Sequence, residues 1–115
     1  MKRGEIWTIA GGAPYAGKPR PAVIVRDDRF DASDSIIVCP LTTDQTSAPI
    51  FRLPVRASTQ SGLRAPCRMM VDKVTAVPRK RLATLVGSVS SEELRALNRA
   101  LFVFLGLSET AREAR

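Results

Sequence analysis

The chain has 115 residues, 44% hydrophobic and 25% charged, which fits one domain over residues 1–115 with a single core and excludes a disordered chain. Eighteen Lys and Arg against eleven Asp and Glu give a net charge of +7, pointing to a polyanionic partner, either nucleic acid or an acidic protein segment. The count of histidines is zero, which removes Ser–His and Cys–His nucleophile pairs, any two-histidine ribonuclease mechanism and the usual zinc ligand sets.

No apolar run follows Lys2 and Arg3, so no signal peptide is expected, and the protein is expected to stay in the cytoplasm. Residues 4–10 alternate around Ile6, Trp7, Thr8 and Ile9 and predict a first strand. Residues 11–19 hold too much Gly and Pro for helix or strand and form a loop carrying Tyr15 and Lys18. The β-branched run of 20–25 predicts a strand buried on both faces, with Pro21 confined to its start. After a polar turn at 27–35, residues 35–41 make a third strand ending at Thr42 and Thr43.

A loop at 44–48 leads to a fourth strand over 49–55. The fifth and longest strand is predicted over 67–77, where Pro78 ends it. Arg79, Lys80 and Arg81 read as a solvated turn. Cys39 and Cys67 stand far apart in apolar contexts, without the spacing of a metal site, and read as small buried hydrophobes.

The period then changes. Ser90 followed by Glu93 is a capping box, and Leu94, Leu97, Leu101, Phe104 and Leu105 recur at helical spacing until Gly106. That apolar stripe is core or a dimer seam. The longest apolar stretch, near 101–107, is far short of the ~20 residues a membrane span needs. Five short strands and one late helix make a mainly β chain, a small β-barrel with an appended C-terminal helix.

Four segments resemble, in order, the MazF/PemK toxin family. Lys2-Arg3-Gly4-Glu5-Ile6-Trp7 is similar to its first strand. The stretch from Gly17 through Arg20-Pro21-Ala22-Val23-Ile24-Val25 resembles its glycine-rich loop and second strand. Ile37-Val38-Cys39-Pro40-Leu41-Thr42-Thr43 matches a strand ending in threonine. Val71-Asp72-Lys73-Val74-Thr75-Ala76-Val77 through Leu82 resembles its fifth-strand segment.

The resemblance implies an SH3-like barrel, shared with gyrase-poisoning toxins of the CcdB type, so fold alone leaves function open. It also implies a homodimer, a small antitoxin with an acidic tail, and metal-free cleavage of single-stranded RNA with no cofactor. It makes Arg20 and Thr42 the catalytic pair. Arg20 would neutralise the reacting phosphate with its bidentate fork, and Thr42 would position a phosphate oxygen or the 2′-OH.

Tyr15 would stack on an unpaired base and Lys18 touch phosphate, with Thr43, Arg68 and Asp72 completing the substrate contacts. Two positions depart from the family pattern. Lys73-Val74-Thr75-Ala76 stands where the family has a segment with an arginine, and Met70 stands where some relatives pair an arginine with the acid at Asp72. Arg68 shares a strand face with residue 70 and is the substitute. A gyrase-poisoning toxin and an inactive RNA-binding barrel remain the alternatives.

Overall fold

The computed structural model describes residues 1–10, 20–46 and 51–108. Its centre is β2 (Arg20–Ile24), flanked by β1 (Glu5–Ile9) and β3 (Ser35–Thr42), both antiparallel to it. Ala22, Val23 and Ile24 are all fully buried because the sheet carries a core on each face. Val23 packs with Ile6, Leu41, Met69, Val71 and Leu97 beneath the helix, whereas Ala22 and Ile24 pack with Ile9, Ile36, Val38 and Val77 on the other side. Alternation along the pleat sends neighbouring residues to opposite faces, which is why β-branched residues run consecutively here.

The helix α1 (Ser91–Phe104) starts where the capping box predicts. The Ser90 hydroxyl accepts from the Glu93 N–H at 3.0 Å, and the Glu93 carboxylate accepts from the Ser90 N–H at 2.8 Å. Gly106, at φ +79°, takes the left-handed conformation just past its end. Leu97, Ala100 and Leu101 face the first core, while Phe102, Val103, Phe104, Leu105 and Leu107 are exposed. No described helix is long and apolar enough to cross a membrane.

The predicted fifth strand is two strands. Cys67–Met70 forms β5 and Thr75–Pro78 forms β6, separated by a single 3-10 turn at Val71–Lys73. Both lie on the same edge of β3: Leu41 and Thr42 pair with Met69 and Arg68, and residues from Ser35 to Val38 pair with those from Pro78 to Thr75. The cause is Pro40. The Ile37 carbonyl accepts from Val25 N–H at 2.9 Å, so odd-numbered β3 residues aim their backbone groups at β2. By alternation Pro40 faces the other neighbour, where it has no N–H to give. The opposing chain leaves the ladder at that point and buries Val71 instead.

A strand over 82–88 was also not foreseen. It is β7 (Leu82–Ser88), which among the described residues pairs only with β1 and so stands at the sheet edge. Half-exposed Leu85 and the glycine at 87 break the alternation that would have marked it. With β4 (Arg52–Val55) at the other edge, the order is β4-β5-β3-β2-β1-β7, with β6 beside β3. The chain is therefore mainly β with a C-terminal helix, and its described residues form seven strands rather than five.

Both cysteines are free and buried, as their apolar contexts predict. Burial, with the Asp72 charge second, pushes the Cys39 thiol up to about 12 from an ordinary 9.0. The unfolded chain therefore releases this proton at lower pH than the folded one. The stability the neutral thiol contributes is intact below pH 9 and is lost as pH rises towards 12. Urea unfolding of the native chain and of Cys39→Ala at pH 8 and at pH 10.5 checks this. The native chain is expected to lose more stability between the two, and equal losses would contradict the account.

Candidate active site

The register of the three central strands lines up the chemistry-bearing residues. Ala22 pairs with Pro40 and Val23 with Cys39. Carried two residues further, the same register sets Arg20 across from Thr42, which pairs in turn with Arg68. Residues opposite one another share a face, so Arg20, Thr42 and Arg68 form a row beyond the end of the second core.

A pocket of about 250 Å³ opens on that face. It is lined by Arg20, Pro40, Leu41, Thr42, Met70, Lys73 and Thr75. Pro40 and Thr42 come from β3, and Arg20 rises from β2 on one side. Met70, Lys73 and Thr75 come from the other side, where the chain bulges out opposite Pro40. The structure thus brings together Arg20 and Thr42, the two residues singled out as catalytic. It adds Lys73 and Thr75, whose signal in the sequence was their departure from the family pattern.

Thr42 is held in a defined way. Its Oγ1 accepts from the Asp44 N–H at 3.1 Å, a local turn of the kind threonine favours. With a lone pair committed to the backbone, the hydroxyl proton is the group left to donate. Asp44 is fixed in turn by Thr46, whose hydroxyl and N–H donate to Oδ1 at 2.7 and 2.9 Å. Those bonds, the side-chain one first, hold the Asp44 carboxyl below the usual carboxylate range.

The remaining residues fall around the pocket rather than in its wall. Thr43 is exposed just past β3, and its carbonyl accepts from Gln45 Nε2 at 3.2 Å. Arg68 is half-buried, with Nε 3.3 Å from Gln45 Oε1 and Nη1 3.2 Å from the Arg52 carbonyl. Asp72 is ion-paired with Arg52 at 3.0 Å. Tyr15 and Lys18 lie outside the described residues.

Among the described residues, no group of three Cys, Asp or Glu side chains is gathered in a way that could hold a metal ion. A larger hollow of about 460 Å³ lies beside the start of α1, lined by Arg56, Gln60, Glu92 and Glu93 among others. Its Glu93 carboxylate already accepts from the Ser90 and Arg56 amides. Two carboxylates, Glu92 and Glu93, share that wall with its one cation, Arg56, whereas the smaller pocket sets cations and hydroxyls together with no carboxylate, so the smaller pocket is the better candidate for an anionic substrate.

The chain is similar to known proteins over nearly its whole length. The family model described as PemK-like, MazF-like toxin of type II toxin–antitoxin system matches residues 2–105. A protein of Mycolicibacterium smegmatis named probable endoribonuclease MazF is 44% identical over 108 residues, covering 94% of this chain and 99% of that protein. Endoribonuclease MazF9 of Mycobacterium tuberculosis is 33% identical over 117 residues, covering 93% and 98%. A solved mycobacterial endoribonuclease in complex with its cognate antitoxin superposes with a TM-score of 0.75 at 20% identity, over 93% of this chain and 96% of that one. That likeness gives the fold, the small barrel-like architecture expected from the strand pattern. By its matched length and its identity to curated relatives, the chain belongs to the PemK-like, MazF-like toxin family of type II toxin–antitoxin systems.

Proposed function

We propose that this chain is the endoribonuclease toxin of a toxin–antitoxin pair and cuts single-stranded mRNA at short sequence motifs in the cytoplasm, without a metal. The observation that carries the reading is the convergence of Arg20 and Thr42 on one pocket at the end of β3, in a family whose curated relatives are named endoribonucleases. Those names favour RNA cleavage over gyrase poisoning or passive RNA binding.

The chemistry uses the substrate's own nucleophile. The ribose 2′-oxygen attacks phosphorus as its proton is removed, the bond to the 5′-oxygen breaks, and that oxygen takes up a proton. The products are a 2′,3′-cyclic phosphate and a free 5′-hydroxyl. Negative charge peaks on the phosphoryl oxygens midway, so stabilisation there speeds the step more than ground-state binding does. Arg20 stabilises it with a planar, permanently charged fork. Thr42 donates its free hydroxyl proton to a phosphoryl oxygen and fixes the angle of attack.

Flanking nucleotides meet Tyr15 by stacking and Lys18, Thr43 and Arg68 by polar contacts. Asp72 takes part at the edge together with its partner Arg52. The +7 charge favours RNA, and also an antitoxin with a disordered acidic segment that occupies the same groove. The solved mycobacterial endoribonuclease with its cognate antitoxin supports that second partner. The exposed apolar end of α1 offers surface of the kind a homodimer buries.

The test is a cleavage assay on a long single-stranded RNA with EDTA in excess, with the cuts mapped by primer extension. Native protein is expected to cut at recurring short motifs at a rate that EDTA does not change. Arg20→Ala is expected to lose about 10³–10⁵-fold in rate, as removal of a transition-state arginine does. Thr42→Val should lose less, about 10–100-fold, the cost of one positioning contact. Cutting by Arg20→Ala at the native rate, or abolition of cutting by EDTA, would overturn the reading.

A further inference from the structure

Arg20 is not the only cation in the pocket. Lys73 lines it too, from the opposite side of β3, and nothing in the proposed chemistry yet uses it. We infer that Lys73 is a second phosphate contact, which closes on the reacting phosphodiester from across the strand and stabilises its transition-state charge together with Arg20. This inference rests on the reading of the Arg20–Thr42 pocket as the cleavage site.

Three features of the structure support it. The first is spacing. Arg20 rises from β2 and Lys73 from the 3-10 turn on the other side of β3, and both line the same pocket of about 250 Å³. A phosphate seated over Pro40 and Thr42 lies between them, within reach of two long basic side chains.

The second is anchoring. Lys73 ends a 3-10 turn whose first residue, Val71, is fully buried and donates its N–H to the Phe51 carbonyl at 2.9 Å. The root of the lysine is thus fixed by the core, leaving its stem to move.

The third is charge. The neighbouring carboxylate, Asp72, is held by Arg52 at 3.0 Å, and among the described residues neither Arg20 nor Lys73 has an ion-pair partner. The pocket wall holds two cations and no carboxylate. A phosphodiester carries one negative charge in the ground state, and the phosphorane between reactant and product carries more. The second cation therefore matters chiefly in the transition state, and its loss should lower kcat with little change in KM.

The experiment uses a fluorescent RNA dodecamer spanning the strongest mapped cut, with native protein, Lys73→Met, Lys73→Gln, Lys73→Arg and Arg20→Ala. Lys73 is exposed, so melting temperatures should match the native value. Lys73→Met and Lys73→Gln are expected to lose about 100-fold in kcat with KM within about threefold, and Lys73→Arg to recover most of the loss by restoring the charge. Native kcat and KM in both neutral variants, with Arg20→Ala inactive, would overturn the role of Lys73 and leave the pocket reading intact. A loss in Lys73→Arg as deep as in the neutral variants would also overturn it, since charge would not be what matters. Native rates in Arg20→Ala, or no cutting by native protein, would overturn the pocket reading and this inference together.

Discussion

The antiparallel register between β2 and β3 is the constraint on which the rest depends. Ala22 against Pro40 and Val23 against Cys39 set the alternation that leaves Arg20 and Thr42 side by side at the open end. A slip by one residue would turn Val23 out of its core and drive the guanidinium of Arg20 towards apolar side chains. Because Val23 is committed to one core and Ala22 and Ile24 to the other, both faces of the sheet resist such a slip. The precision of the site therefore comes from burial well away from it, and the reactive groups sit on strand ends rather than on a free loop.

Pro40 imposes the second constraint. Lacking an N–H on the side away from β2, it interrupts the partner strand, and the chain fills the gap with the Val71–Lys73 turn. That turn divides its side chains by chemistry. Val71 enters the core, Asp72 meets Arg52 on the outside, and Lys73 lines the pocket. The Asp72–Arg52 pair is partly exposed, so it contributes little to stability. What it does is neutralise the carboxylate that precedes Lys73 in the chain and leave the wall positive.

Strong local patterns were legible in the sequence. The capping box placed the start of α1, the β-branched run announced a doubly buried β2, and the apolar contexts of Cys39 and Cys67 foretold their burial. Arg20 and Thr42 could be singled out through the resemblance, and the strand register accounts for their meeting. Where competing signals were weak, the reading failed. An imperfect alternation of polar and apolar residues over 67–77 hid the break, because its cause, Pro40, lies on another strand. The edge strand β7 has too little burial to imprint an alternation. Lys73 and Thr75 looked like departures from a pattern, and only the bulge opposite Pro40 gives them a place in the pocket wall.

The central claim is that the reacting phosphate is seated between the ends of β2 and β3. A crystal structure with an RNA oligonucleotide spanning a mapped cut, its 2′-hydroxyl replaced by hydrogen at the cut nucleotide so that it binds without reacting, tests this most directly. The account predicts the scissile phosphate within hydrogen-bond distance of both the Arg20 guanidinium and the Thr42 hydroxyl. A phosphate bound elsewhere, with Arg20 and Thr42 touching only solvent, would contradict it.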